Sequence, residues 1–497
     1  MSIGVKVSID AWRGAAGTAI DAQAQAHYNR VIADGGLIPK GLSGCSAYFT
    51  AVKAIYATSD ITTAIAAAYD PDYLGYKVGA GSGTTLGQAA GTLYSATGAS
   101  SDLTQATAAN QPLLLVHDGT NNYWWGSGVA GNYCSTPNAS ANQITGDIEC
   151  VVKVSFDSID SSIKTLFGKW QSAGVFAYTL YYYSDKLEWA FSSNGTTLFL
   201  ATSSACSFST NTIYWIKSNR VSSTGVVKFY KSTDGINYTQ IGTDISGTSG
   251  GIFASSSNLL IGAYTTTYSD IMRGKIYRAT ISNSIGGAPV VDFNPNSYAP
   301  ATSQTSWTSA TGEVWTVNQD ANATGYKGVL VFRTMIQGDG INDCLGNSSN
   351  SFVPSDYSAY CVFKKHLSSV DGDLFGSTVG NDSWMHFYMS GNAVKRWSTG
   401  PSVSTINKLV LMTYTGNGTG AGSIETMQKN NGSANTINNS KVAKAAYSFA
   451  VFTSENGGGF YSNSLLTGLI FTSQADNSTQ RTAVYTYLNS INGGALV

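Results

Sequence analysis

Two carboxylates, Asp147 and Glu149, stand two residues apart at the start of an alternating stretch, IECVVKVSF over 148–156. Side chains at i and i+2 of a strand share a face. Two acids on one face are the least that a nucleophile-and-acid attack on a glycoside needs. The four histidines, His27, His117, His366 and His386, show no HExxH or paired spacing. Neither metal ligation nor Ser-His chemistry therefore has an anchor. Asp118, Asp339 and Asp343 lie in polar, glycine-containing stretches. Calcium could draw carboxylate and carbonyl oxygens there, although Asp-Gly turns account for the same residues without an ion. Aromatics give the richest set: Tyr123-Trp124-Trp125, Tyr181-Tyr182-Tyr183, and Trp384 and Trp397 among polar neighbours. Their flat faces suit stacking on sugar rings, with nearby Asn, Asp and Ser for the hydroxyls. Tyr123, Trp124, Trp125, Tyr182, Trp384 and Trp397 are thus the glycan-contact candidates. The competing account puts most of these rings in the core, where aromatic burial stabilises most. Adjacent residues of a strand point to opposite faces, so each cluster is expected to send one ring outward. Gly126-Ser127-Gly128 marks an exposed loop beside Trp124 and Trp125.

The elements that must position these residues are mainly β. Of 497 residues only 11% are charged, while Gly (54) and Tyr (29) are abundant. β-formers and turn-formers thus displace the helix-favouring Glu, Lys and Arg. A net charge of −1 with no basic stripe excludes phosphate-driven nucleic-acid binding. No apolar run is long enough for a membrane helix, and MSIGVKVSIDAWRG holds no leader-like apolar core. The six cysteines are scattered without a CxxC pair. They are expected as reduced, packed thiols, with a Cys134–Cys150 pair open under oxidising conditions.

Residues 1–110 read as a small α-rich module. A helix is expected over 20–33 behind Asp21, ended by Gly35-Gly36, with others near 47–57 and 61–68. Gly79–Gly87 reads as a flexible loop. From about 111 the pattern turns to short strands bounded by Gly, Ser, Asn and Asp, such as FAYTLYYY (176–183), LEWAFSS (187–193) and TIYWIKS (212–218). Asp234-Gly235 signals a hairpin. An ordered internal repeat follows. Asp118-Gly119 is matched by Asp339-Gly340, Cys150 by Cys361, and Leu166-Phe167-Gly168 by Leu374-Phe375-Gly376. The closing GKIYRATIS (274–282) is matched by GLIFTS (468–473). Two sandwiches are expected, over 111–300 and 325–497, joined by a linker at 301–324.

This ordered set resembles the laminin-G-like, concanavalin A-like jelly-roll family over about three quarters of the chain. In that family, glucanases carry acids at i, i+2 and i+4 of one strand. Here position 151 is Val, and in the second copy Asp356 is followed by Ser358 and Tyr360. No enzyme is therefore expected. Calcium is the family's commonest ion, and no other cofactor is implied. The stretches DAQAQAHYNRVIADGG (21–36), FTAVKAIYATSDITTAIAAAYDPDYLGYKVG (49–79) and TLYSATGASSDLTQATAANQPLLL (92–115) resemble N-terminal regions of bacteriophage and prophage virion proteins of Bacteroidetes hosts. Those are tail, head-fibre or minor structural proteins. The resemblance implies a structural virion protein, assembled in the bacterial host cytoplasm. Its partners would be other virion proteins and a host surface glycan, with homo-oligomerisation, appendage proteins often being trimers, and no membrane insertion. A virion-associated glycan hydrolase and a purely architectural capsid or collar subunit are the alternatives.

Overall fold

In a computed structural model of the chain, residues 19–79, 88–265, 270–303 and most of 305–347 are described. From 348 onward it describes the strands named below with a few neighbours, and 474–496. The protein is mainly β, folded as two antiparallel two-sheet sandwiches with a small helical layer.

Two helices come first, α1 (Ala22–Ala33) and α2 (Gly41–Tyr56). Asp21 caps α1 by accepting from the Gln23 and Ala24 amides (3.0 and 3.1 Å). That satisfies two N–H groups which a helix start leaves unpaired. A third helix expected near 61–68 is instead one 3-10 turn, Ile61–Thr63, followed by a strand. Alanine favours helix intrinsically, but Ile65–Tyr69 gains a full sheet partner, and tertiary pairing decides.

The strands fall into four consecutive groups. A first arm holds β1 (Ile65–Tyr69), β2 (Tyr76–Val78), β3 (Gln88–Leu93), β4 (Leu103–Thr104) and β5 (Leu113–Leu115). A first shell holds β6 (Tyr123–Ser127), β7 (Tyr133–Thr136), β8 (Ile148–Phe156), β9 (Lys164–Lys169), β10 (Tyr178–Tyr183) and β11 (Lys186–Phe191). It continues with β12 (Phe199–Thr202), β13 (Ile213–Arg220), β14 (Val227–Ser232), β15 (Thr239–Gln240), β16 (Leu259–Ile261) and β17 (Arg273–Ser282). A second arm holds β18 (Val291–Phe293), β19 (Ser306–Thr308), β20 (Val314–Asn318) and β21 (Val329–Val331). A second shell holds β22 (Met335–Gln337), β23 (Leu345–Asn347), β24 (Tyr357–Lys365), β25 (Gly372–Ser377), β26 (His386–Ser390) and β27 (Ala393–Lys395). It ends with β28 (Val403–Ser404), β29 (Leu409–Asn417), β30 (Gly420–Lys429), β31 (Ala434–Lys441), β32 (Phe449–Val451) and β33 (Ser464–Thr472), followed by helix α3 (Ser478–Ile491).

The pairing repeats strand for strand. In the first sandwich β15-β14-β13-β8-β17-β6-β21 form one sheet and β12-β11-β10-β9-β16-β7-β20-β19 the other. In the second, β24 lies between β29 and β33, β33 pairs β22, and β22 pairs β5. Facing it, β25 pairs β32, β32 pairs β23, and β23 pairs β4. One apolar core fills each sandwich, around Trp124, Val152 and Trp189 in the first and Tyr69, Cys361 and Phe471 in the second.

The structure divides the chain differently from the boundaries read in the sequence. Residues 65–115 are not a module apart. Strand β1 adds to β33 and β5 to β22, so the first arm completes the second sandwich. The expected linker at 301–324 is no linker: β20 pairs β7, and Trp307 and Trp315 are buried against Phe293. The second arm thus completes the first sandwich. The Asp-Gly match is also not structural. Asp118-Gly119 precedes β6, whereas Asp339 follows β22, and β6 and β22 are the equivalent strands because they pair β17 and β33.

Candidate functional site

Tyr123, Trp124, Trp125 and Tyr182 are 1%, 0%, 0% and 1% exposed. None offers a ring to a sugar, so these four glycan-contact expectations are corrected. Alternation does send Tyr123 and Trp125 away from the sandwich core, but that side of β6 is covered. They pack with Leu113, Leu115, Val331 and Leu465 where the two sandwiches meet. The Tyr123 hydroxyl donates to the Val116 carbonyl, and Trp125 Nε1 donates to Asp157, each at 2.7 Å. Trp124 and Tyr182 face inward. Trp384 and Trp397 lie outside the described residues.

The exposed candidate is on the solvent face of β9–β12, carried by residues the ring clusters concealed. Strands β10 and β11 are joined by Ser184 and Asp185, both at positive φ (47° and 61°). A two-residue turn of that hand fixes the register. Tyr181 then faces Glu188 on β11 and Thr165 on β9, and Glu188 faces Thr202 on β12. One row across four strands therefore reads Thr165, Tyr181, Glu188, Thr202. The neighbouring row reads Gly168, Thr179, Ala190, Leu200.

A loop lies over the Gly168 end of these rows. A side chain at Gly168 would come within 2.6 Å of Tyr264 Cβ and 2.8 Å of its Cα, so only glycine admits the loop. The Thr165 hydroxyl donates to the Asp270 carbonyl (2.6 Å), and the Tyr264 hydroxyl donates to the Asp270 carboxylate. Tyr181, Glu188, Tyr264 and Asp270 are all partly exposed. Burial pushes the Tyr181 phenol well above its ordinary value, and the charges of Glu188 and Asp270 push it further. Two phenols and two carboxylates thus converge beside small and apolar positions. The chemistry on offer is that of polyol contact: rings against C–H faces, carboxylates accepting from hydroxyls.

The opposite sheet also carries rings on its solvent side, but the chain's own lysines cover them. Lys217 Nζ sits 4.9 Å from the Tyr230 ring centre and 4.4 Å from that of Tyr238. Lys153 Nζ sits 5.4 Å from Trp215 and 5.2 Å from Tyr277. A ring face holding an ammonium is not free for a sugar.

The acids read from the sequence do different work. The Ser222 amide and hydroxyl both bind Asp147 at 2.7 Å, and these bonds hold its carboxyl below the usual range. It is therefore no proton donor near neutrality. Among the described residues no three His, Cys, Asp or Glu side chains gather as a metal group: Asp339 and Asp343 adjoin, and Asp118 is not with them. Asp118 accepts from the amides of Thr120 and Asn121 (2.8 and 2.6 Å), which makes it a turn residue. Asp343 accepts from the Asp339 amide and the Tyr326 hydroxyl. Burial and the neighbouring Asp339 push its carboxyl up to about 8.

The sequence held the signal for the row that was missed. YYYSDKLEW around a two-residue turn dictates Tyr181 opposite Glu188. Tyr264 and Asp270 had no such signal, because loop placement depends on contacts distant in sequence.

No family model matches the chain, and no curated protein matches it. Solved structures similar to it include mouse laminin alpha1 chain domains LG4-5, at TM-score 0.27 and 10% identity over 72% of this chain and 92% of that one. The CBM40 of a Ruminococcus gnavus IT-sialidase, bound to alpha2,3 sialyllactose, gives TM-score 0.25 and 8% identity over 32% of this chain and 90% of that one. A Trypanosoma rangeli sialidase gives 0.26 and 9% over 63% and 69%. At scores and identities this low, no ligand or role is carried from them to this chain.

Proposed function

We propose that this chain is a non-catalytic adhesion protein that binds neutral glycans on the solvent face of β9–β12. The observation that carries this reading is the convergence of Tyr181, Glu188, Tyr264 and Asp270 under a loop that Gly168 admits. Two carboxylates repel uronic and sialic acids, so neutral hexoses or N-acetylhexosamines are the class favoured. One such site gives weak affinity, and strength comes from many copies on one surface. Absence of catalysis is part of the proposal. It is supported by Asp147 being committed to Ser222 and by Val151 standing where a third acid would be.

The surface in question is, in this reading, that of a bacteriophage particle in which the chain is a structural component. The support is the resemblance of the stretches within 21–115 to virion proteins. Mass spectrometry of purified particles tests that location, and absence of the chain from them would refute it. For the site, the test is retention on neutral-glycan beads. Wild type should be retained, and Glu188→Gln should lose most of the retention. Release of reducing ends that Glu149→Gln abolishes would replace adhesion with hydrolysis.

A further inference from the structure

We propose that the first arm is an exchangeable closing element, and that two copies of this chain can each complete the other's second sandwich.

The two arms are equivalent in place and in sequence. Strand β18 adds to β17 with Phe293 opposite Ala279, and β1 adds to β33 with Tyr69 opposite Leu469. Ala279 and Leu469 then face Val152 and Cys361, one row from the bulge in each sheet. Phe293-Asn294-Pro295-Asn296 therefore matches Tyr69-Asp70-Pro71-Asp72. The hairpins that follow match too. Ser95-Ala96-Thr97-Gly98 joins β3 towards β4, and Ser309-Ala310-Thr311-Gly312 joins β19 to β20. In both, the first serine hydroxyl meets the threonine hydroxyl (3.0 and 3.2 Å), and the glycine has positive φ (126° and 97°). Each arm ends alike, Leu113–Leu115 on β22 and Val329–Val331 on β6.

Yet the arms close shells in opposite directions along the chain. The second arm completes the shell that precedes it. The first arm instead completes the second shell, which lies beyond the whole first sandwich in the sequence. In a row of copies, the first arm of one molecule presents the strands that the second shell of another takes. Its strand surfaces are the same whichever molecule supplies them, so exchange preserves every pairing and alters only the hinge.

That hinge is short. Residues 116–122 join β5 to β6 and are reversed by Asp118, which holds two amides and the Asn121 side chain, with Gly119 at φ 82°. Upstream of it, α1 and α2 pack with the arm as one body around Tyr48, Phe49 and Leu74. The seam is too apolar to stay open, because Ile65, Tyr69, Leu113, Leu114 and Leu115 are all buried. An arm released from its own shell must therefore find another. Closure within one chain has the higher effective concentration, so exchange is a property of crowded copies.

Leu114 and Ile336 face each other across β5 and β22. One protein carrying Leu114→Cys and another carrying Ile336→Cys are unfolded, mixed and refolded together at rising concentration, then oxidised. Each is also refolded alone as a control. The expected result is a covalent one-to-one pair that grows with concentration, is absent from either control, and is split by reductant. A mixture that stays monomeric at every concentration, while the double variant closes on itself, would overturn the proposal. Deleting residues 118–121 provides a second reading by light scattering. A folded protein of at least twice the monomer mass is expected, and a folded monomer would contradict the proposal. If the deletion does not fold, the co-refolding result decides.

Discussion

The same sheet face is covered in one sandwich and bare in the other. On β24, β29 and β33 the outward side chains Tyr360, Val362, Leu411 and Ile470 are buried beneath α1, α2 and α3. On the equivalent β8 and β13 the outward residues include Lys153, Trp215 and Lys217, and lysine ammoniums lie over the rings. Helices dock where outward strand positions are apolar. This explains why the helical layer belongs to the second sandwich and not to a separate module. It also leaves the first sandwich as the one with open faces.

The junctions differ in the same way, and breaking them should show it most. In the second sandwich Arg333 donates to both Asp70 oxygens (2.7 and 2.9 Å) and to Asn492 (2.7 Å), with all of them buried. In the first, the corresponding position is His117. It accepts from the Gly119 amide, so its Nε2–H donates to Asn122 (3.0 Å). Arg333 also lies 3.5 Å from the buried Asp72 carboxylate, so Arg333→Ala should cost about 3–5 kcal/mol by leaving Asp70 and Asp72 without their counter-charge. His117→Ala should cost about 1 kcal/mol. Denaturant unfolding of both variants checks the contrast, and equal losses would break it.

Acid should act next, through the helical layer. Burial lowers His27 from 6.5 to about 4, as it lies on the buried side of α1 with Nε2 on the Leu74 carbonyl (2.8 Å). The unfolded chain then binds the extra proton between these values. Stability is full above 6.5 and is lost as pH falls towards 4, by up to about 3 kcal/mol. Burial lowers His366 in the same direction, whereas Asp343, raised to about 8, removes stability as pH climbs from 4 to 8. His27→Gln should flatten the acid limb of stability against pH, and an unchanged limb would refute the assignment.

Converting the covered face towards the bare one is a milder change. Val362→Lys should cost roughly 2 kcal/mol, the lysine stem reaching for water, and should speed proteolysis within 22–56. Unaltered proteolysis would show that the helices do not depend on this face. The smallest effect belongs to the bare face itself. Lys217→Gln should change stability by about 0.5–1 kcal/mol and leave glycan retention as it was. Lost retention would move the site to the wrong sheet.

Much of this was legible in the sequence. The strand periodicity, the α1 cap at Asp21 and the equivalence of the Leu-Phe-Gly strands β9 and β25 were all readable, because each rests on local pattern. The arm was not, because IAAAY at 65–69 is helix-like until β33 pairs with it. Nor was the burial of Tyr123 and Trp125: alternation gives the side of a sheet, but not what covers that side. The repeated SATG at 95–98 and 309–312 was the available clue to the arms.

Calorimetric titration of the whole chain with neutral oligosaccharides, beside Glu188→Gln and Gly168→Ala, decides whether β9–β12 carry the glycan site. The account predicts saturable binding by wild type and at least a tenfold loss in each variant, equivalent to about 1.4 kcal/mol. The Gly168 variant should lose it because its new methyl displaces Tyr264. Undiminished binding in both variants would contradict the account, as would a preference for acidic sugars.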